Sequence, residues 1–215
     1  MNSHFNPTAV RIIPPTQKRG REMQARLVEA TLELLENQSF EEISIADITG
    51  QAGVAVGTFY RRFTAKEALL PLLYEVYNQR VEKWFAAMMS DPAFESPDRE
   101  IRVRAVIGHI LALFENNRGL VRALHLNSRV DDRIVPDNAN PSRQNVYRAM
   151  AELIFQENPT EAERRVADAM VLICVSTSVE YVLYPKQTPT VLLPVSRAEL
   201  VDALTISSLA LFAQV

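Results

Sequence analysis

The sequence predicts an all-α protein: a small N-terminal helix-turn-helix unit followed by a larger helical region. Three observations point there. Apolar residues recur at three- and four-residue spacing along most of the chain, and strand-like alternation is scarce. Pro92, Pro97, Pro136, Pro141, Pro159, Pro185, Pro189 and Pro194 fall between the periodic segments, where a missing N–H costs little. Ser44 with Asp47, and Thr64 with Glu67, repeat the spacing of a capping box.

Composition bounds the class. The chain has 215 residues, 47% of them hydrophobic, enough for a buried core. Lys and Arg number 23 against 26 Asp and Glu, so the net charge of −3 neither demands nor excludes a nucleic-acid partner. Cys174 is the single cysteine, which removes an internal disulfide and a cysteine-based zinc site. His109 and His125 stand without clustered partners, so no metal is expected, and no motif calls for a cofactor. The N-terminus lacks a signal-peptide core, and no uncharged apolar run reaches membrane-spanning length. The expectation is a soluble, cytoplasmic protein with no membrane partner.

Met1 to about Thr16 is polar and carries Pro14 and Pro15, which predicts a disordered arm over residues 1–17. The basic run of Lys18, Arg19 and Arg21 precedes the first predicted helix, whose stripe is Leu27, Val28, Thr31, Leu34 and Leu35. A short helix follows Ser44 and places Ile45, Ile48 and Ala52 on one face. Gly53 ends it, because only glycine takes a positive φ without a Cβ penalty. The next helix is predicted over Val56–Phe63. A long one opens at Thr64 and runs to the "SDP" stretch, with a kink or irregularity near Ala68–Leu72 because Pro71 cannot donate to the Glu67 carbonyl. Further helices are expected at Asp98–Asn116, Gly119–Ser128, Ser142–Glu157, Thr160–Leu183 and Ser196–Ala213. The domain division is then 1–17, 18–66 and 67–215.

Chemistry concentrates in "AGVAVGTFYRRF", Ala52–Phe63. A helix, a glycine corner and a second helix make a helix-turn-helix. Ile48, Ala52, Val54, Phe59 and Phe63 suit the inner side, packed on the first helix. Ala55, Val56, Gly57, Thr58, Tyr60, Arg61 and Arg62 are then left near the outer side. A helix presenting such residues can enter a major groove, where a threonine meets base edges and an arginine forks to guanine or phosphate. The N-terminus of the following helix, with Lys66, and that of the preceding one, with Ser44, suit phosphate. Lys18, Arg19 and Arg21 offer a basic arm for the minor groove or the backbone.

The stretch "ISIADITGQAGVAVGTFYRRFTAKEALL" resembles the DNA-binding segment of the TetR family of bacterial transcriptional regulators. The likeness is carried by Ala52, Gly53, Val54, Gly57, Thr58, Phe59, Tyr60, Phe63, Lys66, Glu67, Leu69 and Leu70, and covers roughly Arg26–Leu70, about a fifth of the chain. Departures are Ala55 where a capping Ser is usual, Arg62 where His is common, Thr49 where Ala is usual, and Pro71. Losing the cap costs about 1 kcal/mol.

The resemblance implies a ligand-binding and dimerisation domain behind the helix-turn-helix, a homodimer through the last two helices, a double-stranded and palindromic operator, and repression relieved by a small apolar effector. Small residues on those helices, Ala167, Ala169, Cys174, Ser176, Ser178, Ala203, Ser207, Ser208 and Ala210, suit close packing. Candidate pocket residues are Phe114, Leu124, His125, Tyr147, Met150, Phe155, Met170, Cys174 and Tyr181, each equally placed for plain core. No nucleophile elbow, phosphate loop, metal spacing or dinucleotide motif supports an enzyme. A helical enzyme and a protein-interaction adaptor stay open as alternatives.

Overall fold

A computed structural model describes Ile12 and residues 18–135, 139–186 and 190–215. The arm expected over 1–17 lies, apart from Ile12, outside them. Nine α-helices are seen among the described residues: α1 Lys18–Leu35, α2 Ile45–Gln51, α3 Val56–Tyr60, α4 Leu70–Met88, α5 Arg99–Asn116, α6 Arg118–Ser128, α7 Ala139–Glu152, α8 Glu161–Leu183 and α9 Arg197–Phe212. Short 3-10 turns cover Lys66–Leu69, Pro92–Glu95 and Asp132–Ile134. An isolated antiparallel bridge joins Ile12 to Phe63.

The described residues divide into two compact units. One holds residues up to 79 together with 119–135; the other holds 80–118 and those from 139 onward. The division expected at 66/67 therefore falls inside the first unit.

In the first unit α1 buries Leu27, Val28, Ala30, Thr31, Leu32 and Leu35. The Thr31 hydroxyl is satisfied within the helix, donating to the Leu27 carbonyl at 2.7 Å. The α6 helix approaches the C-terminal end of α1 at Gly119. A Cβ there would sit 1.9 Å from the Leu35 carbonyl oxygen, so only glycine permits the approach. The α1 helix begins at Lys18, which places Lys18, Arg19 and Arg21 in its opening turns and not in an arm before it. No proline separates them from the apolar stripe, and Lys18 and Glu22 lie 3.9 Å apart across one turn.

The segment around Pro71 also departs from expectation. Thr64 does not cap a long helix. A 3-10 turn, Lys66–Leu69, begins after Ala65, and α4 starts only at Leu70. Pro71 thus occupies the first turn of α4, where the missing N–H leaves no broken bond. The irregularity expected near Ala68–Leu72 takes the form of a change of helix type. The Leu70 amide donates to the Glu67 carbonyl three residues back.

In the second unit α5 packs against α8 and α9, and α7 against α8. Val103, Val106, Ile107, Ile110 and Leu111 of α5 are buried, as are Met170 and Cys174 of α8 and Leu204 of α9. Arg102 is also buried. Its Nε donates to the Ile154 carbonyl at 2.9 Å and its Nη1 to the Ser96 carbonyl, so backbone ends satisfy it without a carboxylate. The α7 helix starts at Ala139 and ends at Glu152, earlier at both ends than the sequence predicts, with Pro141 accommodated in its first turn. By length and hydropathy alone α8 could span a membrane, although Asp168 and Glu180 interrupt its apolar run, as the reading of the sequence has it. Its apolar content has another source, because Ala167, Met170, Val171, Cys174 and Ser178 form core.

Candidate nucleic-acid interface

Local rules build the α2–α3 corner. Ser44 is the N-cap of α2. Its hydroxyl accepts from the Asp47 amide at 3.1 Å, and the Asp47 carboxylate accepts from the Ser44 amide at 2.8 Å, a closed capping box. The Ser44 hydroxyl and then its amide hold the Asp47 carboxyl below the usual carboxylate range. Gly53 has φ +63°, and it closes α2 as a Schellman motif. Its amide donates to Gly50 O at 3.0 Å, and that of Val54 to Thr49 O at 2.9 Å. Thr49, where the resembled family favours Ala, is buried and returns its hydroxyl to the Ile45 carbonyl at 2.9 Å.

The α3 helix is one turn and a half, shorter than the predicted Val56–Phe63, and is capped at its C-terminal end by Arg61. Ala55 gives it no side-chain cap. Tertiary packing holds it instead. Phe59 and Phe63 are 0% exposed, with ring centroids 5.1 Å apart, while Tyr60 is 53% exposed and sets its ring edge-on to Phe59. Ala55, Val56, Gly57 and Arg61 are exposed; Thr58 and Arg62 are half-buried. Of the inner set Ile48, Ala52, Phe59 and Phe63 are buried and Val54 is half-buried. Lys18, Arg19 and Arg21 are exposed as well, except that they extend α1.

Two assigned side chains are already engaged within the protein. The Ser44 hydroxyl belongs to the capping box. Lys66 turns inward, its Nζ donating to Phe40 O at 2.5 Å, Ile43 O at 2.7 Å and Glu41 O at 3.3 Å, and lying 4.8 Å from the Phe40 ring centroid. Burial pushes its ammonium below the usual lysine range. It is not the open phosphate ligand the sequence suggested. Arg26 escaped the sequence reading: its guanidinium donates to the Ala52 carbonyl at 2.5 Å, at the C-cap of α2. A basic residue on α1 carries no sign in the sequence of which carbonyl it will meet.

The pocket residues named from the sequence fall in both units. Leu124 and His125 belong to the first unit, the rest to the second. Phe114, Leu124, Met150, Met170 and Cys174 are buried core. Burial, opposed by the Ser208 hydroxyl, pushes the Cys174 thiol up to about 11. His125 is half-buried, and burial followed by the Arg129 charge lowers its pKa. Phe155 and Tyr181 are half-buried. Phe155 borders a cleft of about 270 Å³, and Tyr147 a larger one, of about 460 Å³, between α7 and α8. Arg143 and Arg148 stand on the same wall, facing Asp168, Val171 and Leu172. Among the described residues no His, Cys, Asp and Glu cluster could hold a metal ion.

A capped helix, a glycine corner and a short second helix with one face anchored and the other open define a helix-turn-helix. Residues 27–73 match the pattern described as bacterial regulatory proteins of the TetR family. It is 37% identical over 84 residues to the HTH-type transcriptional regulator EthR of Mycolicibacterium smegmatis, covering 39% of this chain and 38% of that one. It is 36% identical over 61 residues to the uncharacterized HTH-type transcriptional regulator YvdT of Bacillus subtilis, covering 28% and 30%. The matched part thus spans about a third of the length of each of these relatives. A putative TetR-family regulator from Mesorhizobium loti superposes with a TM-score of 0.60 at 16% identity, over 92% of this chain and 98% of that one, a likeness of fold.

Proposed function

We propose that the chain is a DNA-binding transcriptional regulator that acts as a homodimer and represses until a small-molecule effector releases it. The observation that carries the reading is the division of α3: Phe59 sealed in the core beside Tyr60 and Arg61 in solvent. Val56 to Thr58 supply the N-terminal turn that meets base edges, and Tyr60, Arg61 and Arg62 flank it for phosphate and guanine. Each contact releases counterions, so binding is steep in salt.

Two unpartnered stripes support the homodimer. The α8 helix exposes Ala169, Leu172, Ile173 and Ser176, and α9 exposes Ala203, Ile206, Ser207 and Ala210, both at spacing i, i+3, i+4, i+7. Two-fold pairing on those faces sets two copies of α3 about one helical repeat, roughly 34 Å, apart on a palindromic operator. The α7–α8 cleft is of ligand size and offers an apolar floor with polar walls, which supports an effector site there. An effector that prefers the dimer state unable to span two half-sites lowers operator affinity by roughly 5–150-fold.

Selection of duplexes from a random pool on the purified protein tests the reading. A palindromic consensus is expected, with affinity falling steeply between 50 and 200 mM salt, roughly as the number of phosphates contacted. Recovery of no enriched sequence sinks it.

A further inference from the structure

We infer that Lys66 is a positioning residue for the helix-turn-helix, a half-buried cation that clamps the turn ahead of α2, and not a phosphate contact; this rests on the DNA-binding reading above. The observation is the convergence of three main-chain carbonyls on one ammonium. Phe40 O lies at 2.5 Å, Ile43 O at 2.7 Å and Glu41 O at 3.3 Å from Nζ. An ammonium has three N–H donors and no acceptor, so these carbonyls take up its whole capacity. The Phe40 ring, with its centroid 4.8 Å away and its own surface buried, adds a cation–π face. A phosphate oxygen could reach Nζ only by displacing one of these partners.

The place of the clamp gives it a role. Residues 39–43 form the turn that delivers the chain to the N-cap Ser44, with the Glu42 and Ile43 amides both donating to Ser39 O. Lys66 gathers the carbonyls on the far side of that turn from the segment just beyond α3. It thereby ties the entrance of α2 to the exit of the corner. Arg26 does the matching work at the other end, holding the Ala52 carbonyl beside Gly53. The α2 helix is thus held at both ends by cations from outside it, and α3, uncapped and short, takes its position from α2.

A phosphate ligand and a clamp predict different salt dependences. A lysine that neutralises a phosphate contributes about 0.9 to the log–log slope of affinity against salt, and its loss weakens all duplexes alike. A clamp leaves the slope unchanged and weakens chiefly the sequence that needs α3 correctly placed. The test compares wild type, Lys66→Met and Lys66→Arg by fluorescence anisotropy between 50 and 300 mM KCl. The probes are the duplex selected by the wild-type protein and a scrambled duplex of the same length. Expected for Lys66→Met is a loss of tenfold or more on the selected duplex, less than twofold on the scrambled one, and the wild-type slope; Lys66→Arg recovers most of the loss.

A slope reduced by about one, with equal losses on both duplexes, overturns the clamp and leaves the DNA-binding reading standing. A wild-type protein that binds neither duplex overturns both. Should Lys66→Met fail to fold, the wild-type ζ-ammonium signal in nitrogen-15 NMR decides. Slow exchange in the DNA-free protein, unmoved by the selected duplex, is expected; fast exchange that slows only with DNA overturns the clamp.

Discussion

The α2–α3 corner and the α8–α9 pair reach order by opposite means. In the corner each key residue acts locally. Ser44 and Asp47 start α2, Gly53 stops it, and Phe59 and Phe63 anchor α3. Little is left to alternative packings. The α8 and α9 helices are closed by capping boxes at Thr160–Glu163 and Ser196–Glu199, but their apolar residues run round more than one side. One side is core and another is exposed. The difference teaches that a recognition surface is specified by a sharp inside–outside division, whereas an unpartnered apolar helix face is specified by what will cover it.

That contrast can be broken by substitution, beginning with the largest effect. Phe59→Ala empties a fully buried position in the corner and is expected to cost about 3–5 kcal/mol, read as an earlier chemical-denaturation midpoint. No change in midpoint would mean that α3 is not anchored by its aromatic core. Ser44→Ala removes the cap of α2 and is expected to cost about 1 kcal/mol by the same measurement. Its partner supplies a pH test. Because the Asp47 carboxyl is depressed in the fold, its contribution is present above about pH 4, where an unperturbed carboxylate titrates, and is lost as pH falls through the lower folded value. Ser44→Ala should therefore flatten the acid limb of the stability curve.

Ile206→Asp, on the exposed stripe of α9, sharpens the comparison from the other side. The position is 67% exposed, so subunit stability should change by less than about 0.5 kcal/mol. Sedimentation should shift from dimer to monomer, and affinity for a palindromic duplex should fall with it. An unaltered dimer would place the interface on another face.

Much of the fold was legible because helices announce themselves locally. The Ser44–Asp47 box and the Gly53 stop are both realised as the sequence suggested, and α5, α6, α8 and α9 lie within a residue or two of their predicted bounds. The reading failed where a choice between equivalent local signals had to be made. Thr64–Glu67 has the spacing of Ser44–Asp47 yet caps no helix, because Pro71 delays the α-helical register to Leu70. Lys66 and Arg26 carry the charge of surface residues, but carbonyls distant in sequence take their donors. Pocket residues were the least legible, because Met170 and Cys174 in a core and Tyr147 beside a cleft have the same apolar character.

The sequence alone determined the helical class, the bounds of α2, α5, α6, α8 and α9, which side of the α2–α3 corner faces in, and the family that corner resembles. Periodicity, caps, a glycine stop and proline are properties of neighbouring residues and are written in order along the chain. Only the tertiary structure decided which carbonyls Lys66 and Arg26 meet and that Gly119 lies against Leu35. It also decided that Tyr147 and Phe155, of the residues chosen for a pocket, border clefts while Met170 and Cys174 are core. Those facts depend on which segments meet, and a side chain's type does not state the partner that the rest of the chain will bring to it.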